Sequence, residues 1–231
     1  MKAVYSIDDL SSRDVLDAAA DQPAKLAVIG WPVAHSASPQ MHQPALDALE
    51  KGIRYIRVEV EEGRTAEAFD AMRSLGFIGV NITVPHKFAA LEFCDEVDPA
   101  ATALGAVNTI RFDADASRGF NTDGPGFANA IEMEFGAKLA GLSMAITGAA
   151  GGAGQAIATQ CVRSGVARLA LINRSQDKLA QLVEHLAQFN DGTKRSLKSL
   201  PPSAYPTTLE MSYAKPPSKS RSQLAITTPV L

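Results

Sequence analysis

The chain has 231 residues, a formal net charge of −3 and 46% apolar residues, a composition ordinary for a globular α/β protein of one large or two small domains. No apolar run approaches the roughly 20 residues that span a bilayer, so a membrane-embedded class is not expected, and the slightly acidic balance gives no reason for a nucleic-acid partner. Cys94 and Cys161 are too few for a disulfide framework and lack metal-ligand spacing, so both read as buried small apolar groups in a reducing compartment.

Asp8 and Asp9 stand where a secretory signal would have its apolar core, which predicts a cytoplasmic chain. Residues 1–25 read as a lead-in with one short amphipathic stretch, Ser12–Asp17. Leu26–Ile29 reads as a strand. Pro39–Leu49 reads as a helix with Met41, Ala45, Leu46 and Leu49 on one face, closed by Gly52. Ile53–Val60 alternates as a half-buried strand, Thr65–Leu75 is a helix with Ala68, Phe69, Met72 and Leu75 inward, and Phe77–Thr83 is a third strand. A helix through Phe93 follows, then shorter strands at Val107–Phe112 and near Phe120. After the polar turn Asn121-Thr122-Asp123-Gly124-Pro125, the chain predicts a helix to Phe135, a strand at Leu142–Thr147, a helix at Gln155–Ser164, a strand at Arg168–Asn173 and a helix at Asp177–Phe189. Repeated strand–helix units predict a mostly parallel sheet with helices on its faces, and the polar turn marks the domain boundary.

Beyond residue 190 the pattern breaks. Residues 192–231 hold Lys194, Arg195, Lys198, Lys215, Lys219 and Arg221 against Glu210 alone, with Ser/Pro-rich runs and no sustained period of 2 or 3.6. This basic tail reads as loosely ordered, without a packed element.

Five motifs carry chemistry. Gly30-Trp31-Pro32-Val33-Ala34-His35-Ser36-Ala37-Ser38-Pro39 follows the first strand, the place where open α/β sheets put ligands. Its two hydroxyls suit a small anion or a polyol, or else one serine merely caps the next helix. Asn81-Ile82-Thr83-Val84-Pro85-His86-Lys87 brings a lysine to a helix start beside apolar surface. Partial desolvation there would make Lys87 a general acid or base; otherwise it is a solvated lysine, and His86 is a turn or cap residue. In Ala106-Val107-Asn108-Thr109 the amide of Asn108 needs a partner, either backbone or a ligand hydroxyl. Asp123, in Asn121-Thr122-Asp123-Gly124, is either a turn former or a carboxylate that faces Lys87. The turn Gly148-Ala149-Ala150-Gly151-Gly152-Ala153-Gly154 between strand and helix fits a dinucleotide pyrophosphate, and Arg174 in Asn173-Arg174-Ser175 fits the 2′-phosphate of NADP. No metal site is expected.

In this order the five motifs resemble the shikimate dehydrogenase (shikimate/quinate dehydrogenase) family, over about Leu26 to Leu186. The resemblance implies an N-terminal α/β substrate domain with a mostly parallel sheet over residues 26–123, and a partial Rossmann-type NADP-binding domain over 124–190. Residues 191–231 would be an atypical tail. It implies reduction of 3-dehydroshikimate to shikimate with NADPH. Ser36 and Ser38 would bind the substrate carboxylate and Thr83, Asn108 and Asp123 its ring hydroxyls. Lys87, with Asp123, would be the catalytic group, and Gly148 to Gly154 with Asn173, Arg174 and Ser175 would bind the cofactor.

The sequence departs from that family at two places. The first glycine of the family's turn falls on Ala149, unless Gly148 takes its role through a one-residue shift. Beyond Phe189 the family's remaining strands, a turn of the type Asn-Ala-Thr-Pro-Leu-Gly-Met near the nicotinamide, and a late helix are not recognised. The chain therefore reads as truncated, as by a change of reading frame, which predicts weak or no turnover with shikimate binding retained. The other readings are a quinate/shikimate dehydrogenase, a non-catalytic shikimate-binding protein and a gene remnant. The expected partners are the small-molecule substrate and a second copy in a homodimer, with no nucleic acid and no membrane.

Overall fold

A computed structural model of the chain describes residues 2–18 and 20–189, together with the backbone of Ser196–Ser199 and Gln223–Thr227. The chain divides into two compact units, Met1–Thr122 and Asp123–Leu231.

The first unit is built on seven strands: β1 (Tyr5–Ser6), β2 (Ala24–Gly30), β3 (Arg54–Glu59), β4 (Gly79–Ile82), β5 (Glu96–Val97), β6 (Thr109–Phe112) and β7 (Ser117–Phe120). They lie in the order β1-β3-β2-β4-β6-β7-β5. All pairs are parallel except β4–β6 and β6–β7, because β6 and β7 form a hairpin closed where Asp113 N–H donates to the Ala116 carbonyl at 2.9 Å. Helix α3 (Thr65–Ser74) contributes Ala68, Phe69 and Met72, all fully buried, to the core cluster that also holds Ile29, Val58 and Ile110, as its 3.6-residue spacing predicts. Truncating a ring such as Phe69 is worth about 3–5 kcal/mol.

Three expectations for this unit need correction. Residues 1–25 are part of the core and not merely a lead-in: β1, a 3-10 turn (Ile7–Ser11) and α1 (Arg13–Leu16) bury Tyr5, Ile7, Leu10 and Leu16. Helix α2 (Ser38–Ala48) has no buried residue, and Met41 and Leu49 are 66% and 65% exposed. Leu46 is partly buried against Val28, Val33 and Tyr55, and polar groups add to the attachment: Gln43 accepts the Tyr55 N–H at 2.8 Å, and Arg57 donates to the Ser36 carbonyl at 2.8 Å and to Gln40 at 2.6 Å. Between β5 and β6 lies a helix absent from the sequence reading, here α5 (Pro99–Leu104). Asp98 caps it by accepting the Ala100 N–H at 2.8 Å, Pro99 opens it, and Gly105 ends it in the left-handed region.

The second unit opens with α6 (Asp123–Phe135), in whose first turn Pro125 is tolerated because an N–H there has no carbonyl to reach. Strand β8 (Ser143–Thr147), helix α7 (Gly152–Arg163), strand β9 (Arg168–Ile172) and helix α8 (Gln176–Ala187) follow. Met144, Ile146, Cys161, Leu169, Leu171, Leu179 and Leu186 form the core. Burial pushes the Cys161 thiol up to about 12 and the Cys94 thiol, in the first unit, up to about 11.

The sequence gives only two strands here and none in the tail. The backbone instead shows two further strands, β10 (Ser196–Ser199) parallel to β9 and β11 (Gln223–Thr227) parallel to β8. The order β10-β9-β8-β11 is 3-2-1-4 counted from β8, which is the first part of the doubly wound dinucleotide-binding order. Residues 228–231 lie outside the described residues.

Candidate functional site

In the first unit the carboxyl ends of β2 and β4 and the start of the antiparallel β6 lie side by side, so four of the singled-out segments meet at one end of the sheet. Thr83 N–H donates to the Ile29 carbonyl at 2.9 Å, Ile82 N–H to the Asn108 carbonyl at 2.8 Å, and Val107 N–H to the Lys87 carbonyl at 3.0 Å. Gly30 permits this approach: a Cβ there would stand 2.5 Å from Thr83 Cγ2. Ser36, Ser38, Thr83 and Lys87 are half-buried and Asn108 is 8% exposed.

Neither serine is an ordinary helix cap, since the cap position of α2 is Ala37 and no side chain caps it. Ser36 Oγ accepts the Ser38 N–H at 3.3 Å and lies 3.1 Å from Ser38 Oγ, so the two hydroxyls form a pair. Asn108 does take the backbone partner that its burial demands, because its Oδ1 accepts the Thr122 N–H at 3.0 Å. Its Nδ2 donates to Thr122 Oγ1 at 3.0 Å. Two residues that the sequence reading passed over join this set. Tyr55, on β3, donates its phenol to Asn81 Oδ1 at 2.7 Å, and Asn81 Nδ2 donates to Thr109 Oγ1 at 3.0 Å. Burial raises the Tyr55 phenol above its ordinary range. Nothing in the sequence showed what the Tyr55 hydroxyl meets.

Lys87 is the first residue of α4 (Lys87–Phe93), set by the turn in which His86 N–H donates to the Thr83 carbonyl at 3.0 Å. His86 is structural. It is 1% exposed, with one ring nitrogen 2.8 Å from the Val60 carbonyl and the other 2.8 Å from Thr65 Oγ1, so the neutral ring donates to the first and accepts from the second. Burial lowers its pKa below the ordinary 6.5. Asp123, half-buried, opens α6 directly after Thr122.

In the second unit Gly148 ends β8 with φ +68°, so it makes the tight turn that the sequence left open between it and Ala149. Ala149 is fully buried and donates its N–H to the Ile172 carbonyl at 3.0 Å. Ala150 N–H reaches Asn173 Oδ1 at 3.3 Å. Helix α7 then starts at Gly152 with no side-chain cap, and a Cβ on Gly154 would fall 2.3 Å from the Gly148 carbonyl oxygen. A pocket of about 510 Å³ is lined by Ala150, Gly151, Asn173, Arg174, Ser175 and Lys178. Arg174 and Lys178 are exposed cations beside the open start of a helix. Sequence reading missed Lys178, although one helical turn from Ser175 places it on the same rim.

A parallel sheet of order 3-2-1-4 with a glycine turn after its first strand defines the Rossmann-like class of α/β proteins, here preceded by an α/β unit of mixed sheet. Residues 28–110 match the shikimate dehydrogenase substrate binding domain. The shikimate dehydrogenase (NADP(+)) of Symbiobacterium thermophilum is 42% identical over 163 residues, which are 71% of this chain and 55% of that protein. The crystal structure of shikimate 5-dehydrogenase from Thermus thermophilus in complex with NADP(H) and shikimate has a TM-score of 0.66 at 35% identity, over 77% of this chain and 63% of that one. Quinate dehydrogenase from Corynebacterium glutamicum in complex with NAD has a TM-score of 0.64 at 30% identity, over 76% and 63%. The chain is similar to shikimate dehydrogenases over about seven tenths of its length. It spans a little over half the length of the curated relatives it matches. Among the described residues no helix is long and apolar enough to cross a membrane.

Proposed function

We propose that this chain is an NADP-dependent oxidoreductase interconverting 3-dehydroshikimate and shikimate, with substrate held by residues 26–123 and cofactor by the residues from 124 onward. The observation that carries the reading is the gathering of Ser36, Ser38, Thr83, Lys87 and Asn108 at one end of the first unit's sheet. A carboxylate would sit on the paired hydroxyls of Ser36 and Ser38. Thr83 and the Asn108 amide would hold ring hydroxyls, as would Asp123. Lys87 would give a proton to the oxygen at C3 during reduction and take it back during oxidation, and its positive charge would stabilise the alkoxide that forms there.

The second unit fits the cofactor: the bend at Gly148, the close approach at Gly154 and the pocket bearing Arg174 and Lys178 leave room and charge for a pyrophosphate and a 2′-phosphate. Backbone N–H groups at the start of α7 would hold the pyrophosphate, while Asn173, Arg174 and Ser175 would meet the 2′-phosphate. When bound, the cofactor supplies or accepts the hydride. A cytoplasmic setting, a homodimer and no nucleic-acid partner complete the reading.

The test is oxidation of shikimate and of quinate by the purified chain with NADP+ and with NAD+. Turnover of shikimate with NADP+ supports the proposal. Preference for quinate with NAD+ would move the chain to the quinate dehydrogenases, and shikimate binding without turnover would leave a binding protein.

A further inference from the structure

Strand β3 alternates between two faces. Ile56, Val58 and Val60 are buried in the main core, so Tyr55, Arg57 and Glu59 stand on the other side, where Val28, Val33 and Leu46 pack with Tyr55. The loop after β2 turns on that side. Ser36 N–H donates to the Val33 carbonyl at 3.0 Å and closes a four-residue turn. The closure leaves the N–H of the first residue and the carbonyl of the last, and each is taken by a charged side chain of β3. Glu59 Oε1 accepts the Val33 N–H at 3.2 Å, and Arg57 Nε donates to the Ser36 carbonyl at 2.8 Å. The signs suit the backbone, carboxylate on N–H and guanidinium on carbonyl. Arg57 also donates to Gln40 Oε1 at 2.6 Å and to the Ala3 carbonyl at 3.4 Å, which ties the turn to the start of α2 and to the N-terminal segment. Val33 is fully buried, but Ala34 and His35 are exposed and Ser36 is half-buried. The turn therefore owes its place to one apolar side chain and to this pair of charges.

We propose that Arg57 and Glu59 are positioning residues, which grip the Val33–Ser36 turn at both ends and so hold the Ser36 and Ser38 hydroxyls as a preformed seat. Ser36 closes the gripped turn, and its Oγ accepts the Ser38 N–H at 3.3 Å and lies 3.1 Å from Ser38 Oγ, so fixing Ser36 places both serines. The proposal rests on the reading that this seat takes the substrate carboxylate. One bond alone would leave a hinge; bonds at both ends fix the rotation of the turn as well as its place. A carboxylate then meets hydroxyls that are already paired, and the cost of ordering them falls on folding instead of on binding.

The experiment compares wild type with E59A, E59Q, R57A and the charge-exchanged R57E/E59R. Shikimate is titrated calorimetrically into each, thermal unfolding is recorded, and exchange of the Val33 amide is followed by NMR. E59A and R57A are expected to bind shikimate about tenfold more weakly. E59Q, whose amide oxygen still accepts the Val33 N–H, should recover binding to within about threefold of wild type. The Val33 amide should exchange about tenfold faster in E59A than in E59Q. The exchanged pair should bind no better than the weaker single, because a carboxylate cannot donate to the Ser36 carbonyl and a guanidinium cannot accept the Val33 N–H. Full-strength binding by E59A or R57A, E59Q as weak as E59A, or binding restored by the exchange overturns the proposal. Should the exchanged variant unfold, the comparison of E59Q with E59A decides. If wild type itself fails to bind shikimate, the functional reading falls, and the Val33 amide then decides this one: faster exchange in E59A than in E59Q keeps the grip, equal rates in the two remove it.

Discussion

In the unit formed by residues 1–122 polar side chains hold one another: Ser36 bonds Ser38, and Tyr55, Asn81, Thr109 and Asn108 are joined end to end by side-chain hydrogen bonds. The turn of the second unit is made differently. Backbone bonds and the missing side chains of Gly148 and Gly154 shape it, and its cations, Arg174 and Lys178, are exposed on the rim. A site of the first kind discriminates by directed hydrogen bonds fixed in advance. A site of the second kind takes an anion by fit and field, and its ion contacts weaken as salt rises.

The largest expected effect lies in the first unit. Lys87→Met should lower turnover by about 10²–10⁴-fold while shikimate affinity stays close to wild type, as steady-state kinetics beside calorimetry will show. Equal losses in both would make Lys87 a binding group. Next, Gly154→Ala should destabilise the second unit by about 2–3 kcal/mol in urea unfolding, because the added Cβ meets backbone oxygen that cannot swing aside. A neutral outcome would mean that the turn is shaped by something other than close approach. Arg174→Ala should then weaken NADP+ about 10- to 100-fold and NAD+ far less, with the difference shrinking as salt is raised. Loss of both cofactors equally would place Arg174 elsewhere on the nucleotide.

The smallest effect is a pH dependence. The folded pKa of His86 lies below its ordinary 6.5, so the unfolded chain binds more protons between those values and stability falls as pH drops through that window. Its contribution is complete above about pH 7 and changes by at most about 1.4 kcal/mol per pH unit. The difference between wild type and His86→Gln in urea unfolding from pH 7 to 5 should carry that slope; a flat difference would show the ring titrating alike in both states.

Much of this was legible in the residues. The helix Thr65–Leu75 announced its buried stripe, and the loops at Gly30–Pro39 and Asn81–Lys87 announced strand ends. What escaped has physical causes. Helix α2 is attached by Gln40, Gln43 and Leu46, so apolar periodicity also picked out Met41 and Leu49, which are exposed. The helix after Asp98 was too short to show a period, although its cap, its proline and its closing glycine were all visible. β10 and β11 are short segments flanked by Ser/Pro-rich sequence, and parallel pairing with distant β9 and β8 leaves no local mark. The bond made by the Tyr55 hydroxyl depends on a partner 26 positions away, which spacing alone cannot supply.

A crystal structure of the chain with shikimate bound tests the central claim most directly. The account predicts the carboxylate within hydrogen-bond distance of the Ser36 and Ser38 hydroxyls, with a ring oxygen about 3 Å from the Lys87 ammonium. Shikimate lodged away from the Gly30–Pro39 loop, or bound there with its ring turned from Lys87, would contradict it.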